Sequence, residues 1–132
     1  LIVGIDTFRP VEVERLDDHI MHTESYRVDS AVFERVNDAA RVIAVGTTST
    51  RALESAATTR RLQGRTNLFI RPGYDWKVVD LLMTNFHQPR TTLLVMIEAF
   101  VGSRWRRLYE EAIHERYRML SFGDAMLLDR HR

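Results

Sequence analysis

Residues 80–94, DLLMTNFHQPRTTLL, contain the clearest strand-to-helix transition in the chain. An apolar run ends at Thr84, a polar corner follows, and a second apolar run begins after Arg90. This order predicts a buried strand that stops at a polar corner and continues as a buried helix. In open α/β sheets, ligands bind in the crevice outside the carboxyl ends of the strands. We therefore expect Asn85 and His87, which lie in the corner, to belong to a site.

Short apolar strands alternate with helices along the rest of the chain. Strands are predicted at 1–5, 25–28, 41–45, 67–70, 78–83 and 125–128. Helices are predicted at 31–40, 51–60 and 91–101, with an amphipathic helix between Trp105 and Tyr117.

Three residues are expected to delimit these elements: Ser30 as a helix cap, Gly64 as a break in the chain, and Gly102 as a helix end. The alternation predicts an α/β fold, a layered domain with a mixed or parallel sheet flanked by helices. We expect 42–46 and 78–83 to lie side by side in that sheet, because each is followed by a polar corner and a helix.

The composition bounds the class of protein. The chain has 132 residues, of which 45% are hydrophobic, so it can bury a real core. It contains no cysteine, which excludes disulfides and thiolate metal sites and is compatible with a cytoplasmic protein. Its longest apolar run, 91–101, is too short to cross a bilayer and contains Glu98. The chain opens within an apolar run and without Met, so we expect a fragment that lacks its N-terminal part.

Charge is unevenly distributed along the chain although the net charge is only +1. Residues 1–38 hold four Arg and nine acidic residues, a net of −5, whereas residues 51–77 have a net of +4. This asymmetry permits an anionic partner on one face, and it is equally compatible with an ordinary solvated surface.

The sequence GTTSTR at 46–51 follows a predicted strand and opens a predicted helix. Free backbone N–H groups, the hydroxyls of Thr47, Thr48 and Ser49, and the positive end of a helix dipole can bind an anion. Arg51 can add a charge-assisted contact. The alternative is simple helix capping by one hydroxyl. No Gly-Lys-Ser/Thr follows, so this is not a phosphate-binding loop signature.

Two histidines three residues apart, His19 and His22, lie among acidic residues. They can be ordinary polar residues or proton shuttles at a substrate site. A metal site is disfavoured because the pattern is not His-Glu-x-x-His and no third ligand is evident, so we predict none.

The turn PGYDWK at 72–77 carries Tyr74 and Lys77, which can stack an unpaired nucleobase and hold phosphate. In the alternative, its rings pack on the core. Asp124, between Gly123 and a predicted strand, can cap a turn or hold a ligand hydroxyl.

Six stretches together closely resemble the S-adenosylmethionine:tRNA ribosyltransferase-isomerase family of queuosine biosynthesis. They are VGIDTFRPV (3–11), DHIMHTESYRV (18–28), VIAVGTTSTRALES (42–55), TNLFIRPGYDWKVVDLLMTNFHQPRTTLL (66–94), EAFVG (98–102) and YRMLSFGDAMLL (117–128). They run in family order over nearly the whole chain. The resemblance implies that residues 1–132 are the C-terminal part of the α/β domain of a two-domain protein well over twice as long. Its N-terminal part and an inserted β-barrel domain would then lie outside this chain.

The resemblance implies an enzyme. Family members transfer and isomerise the ribosyl part of S-adenosylmethionine onto 7-aminomethyl-7-deazaguanine at the wobble position of tRNA, giving epoxyqueuosine-tRNA, adenine and methionine. S-adenosylmethionine is then a ribosyl-donor substrate, and no cofactor is expected. We expect a cytoplasmic protein, monomeric when full length and without membrane contact, and we expect the fragment alone to be inactive.

This chemistry needs proton transfer and an adenine leaving group that is hydrogen-bonded or protonated. We assign it to His87, His22, His19 and Asn85, with acid and base left open among the histidines. The substrate-binding residues would be Thr47, Thr48, Ser49, Arg51, Tyr74, Lys77 and Asp124.

Four positions depart from the family pattern: Asp6 for Gly, Asn67 for an acid, Trp76 for Phe and Gln88 for Leu. They leave open a diverged paralogue that acts on another nucleoside or small molecule. A second alternative is a tRNA-binding or assembly module that has lost its catalytic half.

Overall fold

The computed structural model describes residues 11–130, so the predicted strand at 1–5 and Asp6 lie outside the described residues. Five strands and four helices are present in this range. In chain order they are β1 (Glu24–Arg27), α1 (Ser30–Asp38), β2 (Ile43–Val45), α2 (Thr47–Thr59), β3 (Gln63–Thr66), β4 (Leu81–Asn85), α3 (Thr92–Val101), α4 (Arg104–His114) and β5 (Ala125–Asp129). Two short 3₁₀ turns, Leu16–Asp18 and Leu120–Phe122, complete the list.

A mixed three-stranded sheet in the order β2-β4-β5 forms the centre of the fold. β2 runs parallel to β4, with Ile43 opposite Leu81 and Val45 opposite Met83. β5 is antiparallel to β4. The predicted neighbourhood of 42–46 and 78–83 in one sheet is therefore confirmed, and so is the α/β fold class.

The main core lies between this sheet and α3. Leu82 of β4, Ile97 and Phe100 of α3, and Val79 are completely buried there. Burying each such side chain contributes roughly 1.5–3 kcal/mol, which is why α3 can be apolar nearly all round. Trp76 packs edge-on against Phe100, with ring centroids 4.8 Å apart. α3 is thereby held against the strand that ends at the polar corner.

A smaller core joins α2 to the antiparallel pair β1–β3. Tyr26 and Val28 pack against Ala52 and Ala56 of α2. The hydroxyl of Tyr26 also lies 2.7 Å from Thr59 Oγ1 at the end of α2. The two-stranded sheet is therefore fixed to the helix that begins at the end of β2.

The segment 67–70 was predicted as a strand, and this is wrong. The strand is β3, four residues earlier, with Gly64 inside it opposite Tyr26 rather than breaking the chain. Thr66 Oγ1 accepts a hydrogen bond from the backbone N–H of Leu68 at 3.1 Å, and this local bond turns the chain out of the strand.

Helix starts also differ from the sequence prediction. Asp29, not Ser30, caps α1, since its Oδ1 accepts from the N–H of Ala31 at 2.9 Å. α2 begins four residues earlier than predicted, at Thr47, directly after Gly46. α4 ends at His114, before Tyr117.

One face of the three-stranded sheet is uncovered in the described range. Ile43, Val45, Met83 and Leu127 are between 44% and 65% exposed. α1 likewise buries none of its residues. Within residues 11–130, no helix combines the length and the apolar character needed to cross a membrane.

Candidate functional site

A cavity of about 520 Å³ opens where the parallel strands β2 and β4 both end. This is the edge at which open α/β sheets bind ligands. Four of the residues proposed from the sequence meet here: Thr47, Thr48, Asn85 and His87. The other lining residues are Gly46, Thr84, Gln88, Thr91, Leu93, Leu120 and Ser121.

Gly46 makes the turn from β2 into α2. Its φ of 87° lies in a region that favours glycine, and its N–H donates to the carbonyl of Met83 at 2.7 Å. No side chain caps α2, and Thr50 Oγ1 bonds back to the Gly46 carbonyl at 3.0 Å. The capping alternative is therefore not realised, and the hydroxyls of Thr47 and Thr48 remain on the cavity wall beside the helix N-terminus.

His87 also lines the cavity and is buried, with 8% of its surface exposed. Its Nε2 lies 2.8 Å from Thr84 Oγ1, and its backbone N–H donates to the hydroxyl of Tyr109 at 2.8 Å. Burial lowers the pKa of His87 to about 4, because the charged imidazolium would lose its hydration. His87 is therefore an uncharged imidazole at neutral pH.

Helix α4 and the segment that follows it support this corner through aromatic contacts. Tyr109 packs edge-on against Phe86, with ring centroids 5.6 Å apart, and Tyr117 lies at the same distance from Phe86. Burial raises the pKa of Tyr109, so its hydroxyl stays protonated. The N–H of Leu120 donates to the Phe86 carbonyl at 2.8 Å, which places the 3₁₀ turn on the cavity.

Asn85 and Asp124 join β4 to the start of β5. Asn85 Nδ2 donates to the Asp124 backbone carbonyl at 2.9 Å. The Asp124 carboxylate accepts from the backbone N–H of Arg118 at 2.6 Å and from its Nε at 3.1 Å, and these bonds lower the pKa of Asp124. The carboxylate holds this turn, and it does not line the cavity.

Arg51 lies one helical turn after Thr47, and its side chain does not line the cavity. It is 3% exposed and pairs with Glu24 of β1, which is 4% exposed. His22 Nε2 lies 3.3 Å from the other oxygen of Glu24. Burial lowers the pKa of Arg51, and the charge of Glu24 opposes that effect. Its Nε and Nη2 have no hydrogen-bond partner in the described part of the chain.

The remaining residues proposed from the sequence lie outside the cavity wall. Ser49 is exposed in the first turn of α2. The ring of His19 lies 5.1 Å from that of Phe69. Lys77 forms an ion pair with Asp75.

Tyr74, also outside that wall, donates its hydroxyl hydrogen bond to Glu54 Oε2 at 2.9 Å. Burial raises its pKa. No group of three or more His, Asp or Glu side chains within 11–130 is arranged to hold a metal ion.

The departures from the family pattern occupy different environments. Gln88 lines the cavity, whereas Asn67 is exposed. Trp76 is packed on Phe100 and donates its indole N–H to the Ala99 carbonyl at 3.3 Å. Of these three, only Gln88 can alter what the cavity binds.

Sequence reasoning missed Thr84, Gln88, Thr91, Leu93 and the 120–121 segment as wall residues. Thr84 had a detectable signal, because it alternates with Leu82 on the buried face of β4. Thr91 also had one, since a Thr before an apolar helix is a typical cap, and its Oγ1 accepts from the Leu94 N–H at 3.3 Å. The 120–121 segment had none, since it reaches the cavity only through a contact with Phe86.

The chain is similar to known proteins along nearly its whole length. The family described as "Queuosine biosynthesis protein" matches residues 1–128. An S-adenosylmethionine:tRNA ribosyltransferase-isomerase of Rubrobacter xylanophilus is 54% identical over 129 residues, covering 97% of this chain and 39% of that protein. One of Nostoc sp. is 51% identical over 136 residues, covering 97% of this chain and 34% of that protein.

A crystal structure of S-adenosylmethionine tRNA ribosyltransferase from Thermotoga maritima is also similar. It superposes with a TM-score of 0.64 and 46% identity, covering 71% of this chain and 35% of that one. The chain thus spans about two fifths of the length, or less, of these relatives.

Proposed function

This chain belongs to the queuosine biosynthesis protein family, and on that premise we propose the reaction that the whole protein catalyses. It transfers and isomerises the ribosyl moiety of S-adenosylmethionine onto 7-aminomethyl-7-deazaguanine at the tRNA wobble position. The products are epoxyqueuosine-tRNA, adenine and methionine. The observation that carries the proposal is the match to relatives named for this activity, at about half identity over 97% of the chain.

The cavity supports a reaction of this kind. It lies at the carboxyl ends of β2 and β4 and has an imidazole, an amide and hydroxyl-bearing residues in its lining. Backbone N–H groups at the start of α2, with Thr47 and Thr48, can hold the carboxylate of the methionine part. The amide of Asn85, which already donates to Asp124, keeps its oxygen as an acceptor for a base edge.

His87 acts here as a neutral imidazole. Because its pKa is about 4, it carries no charge at pH 7 and presents one donor and one acceptor nitrogen. One nitrogen is occupied by Thr84, and the other can hydrogen-bond to substrate. A proton that it accepts is readily passed on, since the imidazolium is disfavoured in this site. His19 and His22 remain proposed proton-transfer residues, although neither of them lines this cavity.

The proposal includes a domain arrangement, and the greater length of the relatives supports it. Residues 1–132 form the C-terminal part of an α/β domain, and an N-terminal part and an inserted β-barrel domain complete the whole protein. S-adenosylmethionine is the ribosyl-donor substrate, tRNA is the acceptor, and no further cofactor takes part. The whole protein works in the cytoplasm as a monomer.

Adenine release from S-adenosylmethionine, with tRNA bearing 7-aminomethyl-7-deazaguanine, tests this proposal. In the whole protein, His87→Ala should reduce turnover by at least about tenfold, since acid–base groups typically contribute a hundredfold or more. His114→Ala is the matched control, because the His114 side chain is 81% exposed and does not line the cavity. Normal turnover in a folded His87→Ala protein would remove His87 from the site. No adenine release by the wild type would contradict the activity itself.

Gln88 supports a second candidate, a paralogue that acts on another nucleoside. It places an amide in the cavity wall where the family pattern has Leu. Gln88→Leu should raise adenine release if the tRNA substrate is the family's own, because the apolar side chain restores the usual wall. If wild type and Gln88→Leu are both inactive with this tRNA but bind S-adenosylmethionine, the paralogue is favoured. A non-catalytic module would neither release adenine nor bind S-adenosylmethionine.

A further inference from the structure

Four arginines lie on the small sheet or in the turn that leads into it, and they form no ion pair within residues 11–130. Arg27 and Arg65 lie on the solvent face of β1–β3, and Arg60 and Arg61 form the turn between α2 and β3. All four are exposed, and none forms an ion pair in the described part of the chain. Seven other arginines in that part do pair with carboxylates: Arg15, Arg41, Arg51, Arg71, Arg106, Arg118 and Arg130.

The strand register puts Arg27 and Arg65 on the same face. Ser25 is opposite Arg65 and Arg27 is opposite Gln63, and directly opposed residues of antiparallel strands share a face. The two arginines are therefore diagonal neighbours, about 7–8 Å apart at Cα. Glu24 lies on the other face, buried against Arg51, so it does not neutralise this surface.

The arginine positions are fixed by the smaller core. Tyr26 lies between Ser25 and Arg27 on the buried face, and its hydroxyl donates to the Arg61 carbonyl at 3.1 Å. The same hydroxyl lies 2.7 Å from Thr59 Oγ1. One buried side chain thus connects β1, the end of α2 and the turn that carries Arg60 and Arg61. The backbone positions that carry the four arginines are therefore held in one arrangement.

Helix-dipole compensation explains only part of this cluster. Arg60 and Arg61 follow the C-terminal end of α2, where cations are stabilising. Arg27 and Arg65 are on strands and gain nothing from that effect. A guanidinium group without a carboxylate partner can bind phosphate oxygens with two parallel hydrogen bonds.

We propose that Arg27, Arg60, Arg61 and Arg65 form a docking surface for the phosphate backbone of tRNA, an inference that rests on the proposed function for the identity of the polyanion. The 13 residues of α2 separate this surface from the cavity, a length of about 20 Å. A tRNA whose wobble base enters the cavity therefore extends along α2. The nucleotides flanking that base, or its stem, reach the arginines. The contacts position the RNA without reading its sequence.

Binding of a labelled, unmodified tRNA transcript to the whole protein, measured by fluorescence anisotropy from 50 to 200 mM salt, tests this surface. The double variant Arg27→Ala, Arg65→Ala should raise Kd about tenfold near 0.1 M salt. The slope of log Kd against the logarithm of the salt concentration should decrease by about one to two. Arg65→Glu alone should weaken binding by about the same factor. Arg107→Ala is the control, since Arg107 of α4 is exposed and forms no ion pair within residues 11–130, and its effect should stay below about twofold.

Turnover separates this surface from the proposed reaction. The double variant should release adenine at the wild-type rate with saturating tRNA and show only a raised KM for tRNA. Wild-type affinity and salt slope in a folded double variant would overturn the surface while leaving the reaction untouched. A loss of kcat without a change in Kd would also overturn it. If the wild type binds no tRNA, both the surface and the proposed acceptor are wrong.

Discussion

Thr84 Oγ1 and His87 Nε2 lie 2.8 Å apart in the wall of the cavity, across the turn that ends β4. Thr84 is 5% exposed and His87 8%, so water competes little for this bond. The bond leaves Nδ1 as the imidazole nitrogen that can contact substrate. Whether Nδ1 donates or accepts depends on which partner supplies the proton to the Thr84–His87 bond.

Removal of the Thr84 hydroxyl should therefore impair turnover through His87. Thr84→Val keeps the volume but leaves Nε2 buried and unpartnered, so the imidazole loses its orientation and fixed tautomer. We expect adenine release to fall about tenfold or more, equivalent to roughly 1.4 kcal/mol of barrier. Thr84→Ser, which retains the hydroxyl, should keep most of the activity. A wild-type rate in a folded Thr84→Val protein would show that turnover does not depend on this hydrogen bond.

Acid should destabilise the protein in part through His87. Its pKa is lowered from 6.5 to about 4 in the folded state, so the unfolded chain binds more protons between these values. The stabilisation is fully present above about pH 6.5 and is lost as the pH falls towards 4. The shift of about 2.5 units corresponds to roughly 3 kcal/mol.

Urea unfolding of His87→Gln and wild type at pH 7 and at pH 4.5 measures this contribution. The free energy of unfolding should fall more in the wild type, because Gln does not titrate and the carboxylates respond equally in both proteins. His114→Gln should behave like the wild type. Parallel losses in all three proteins would mean that folding does not lower the pKa of His87.

The parts of the fold that could be predicted from the sequence depend on local patterns. The β2–β4 neighbourhood and α3 follow from apolar runs that end at turn residues, and both are confirmed. The segment 67–70 failed because a side-chain bond from Thr66 to Leu68 overrides its β propensity. Strand propensity cannot reveal a bond of that kind.

The candidate site was predictable where neighbours in sequence line one wall, as with Asn85 and His87. The site could not be predicted where a side chain is paired with a residue that is distant in the sequence. Arg51 meets Glu24 across 27 residues, and Tyr74 meets Glu54 across 20. Arg51 and Tyr74 each lie in a sequence pattern typical of ligand binding. In the structure each is hydrogen-bonded to a buried carboxylate that is distant in sequence.

Glu54→Gln should destabilise the protein through the loop that follows Pro72. Glu54 is completely buried, and its Oε1 accepts from the N–H groups of Val78 and Val79 at 3.1 and 3.0 Å. Its Oε2 accepts from the Lys77 N–H and the Tyr74 hydroxyl, each at 2.9 Å. A glutamine amide would turn two N–H donors towards such groups.

We expect Glu54→Gln to lose about 2–4 kcal/mol of unfolding free energy, since each unsatisfied buried donor costs about 1–3 kcal/mol. Chemical denaturation of Glu54→Gln beside Glu98→Gln measures the difference. Glu98 has only a 3.7 Å ion pair with the exposed Arg106, so its loss should cost about 1 kcal/mol or less. Equal midpoints for both variants would show that the loop does not depend on Glu54.

Arg51 and Glu24 should behave as a coupled pair in stability. Arg51→Ala leaves Glu24 charged and 4% exposed, which should cost about 3–5 kcal/mol. The double variant Arg51→Met, Glu24→Gln removes both charges while keeping most of the volume. It should therefore be more stable than Arg51→Ala.

The exposed pair Arg41–Asp129 supplies the control, and Arg41→Ala should cost about 1 kcal/mol or less. Urea denaturation of the four proteins, with adenine release measured alongside, separates the two roles open to Arg51. If Arg51 only balances Glu24, the double variant regains activity together with stability. If the double variant is stable but inactive, the unpartnered Nε and Nη2 of Arg51 contact substrate after a rearrangement, and the role proposed from the sequence stands.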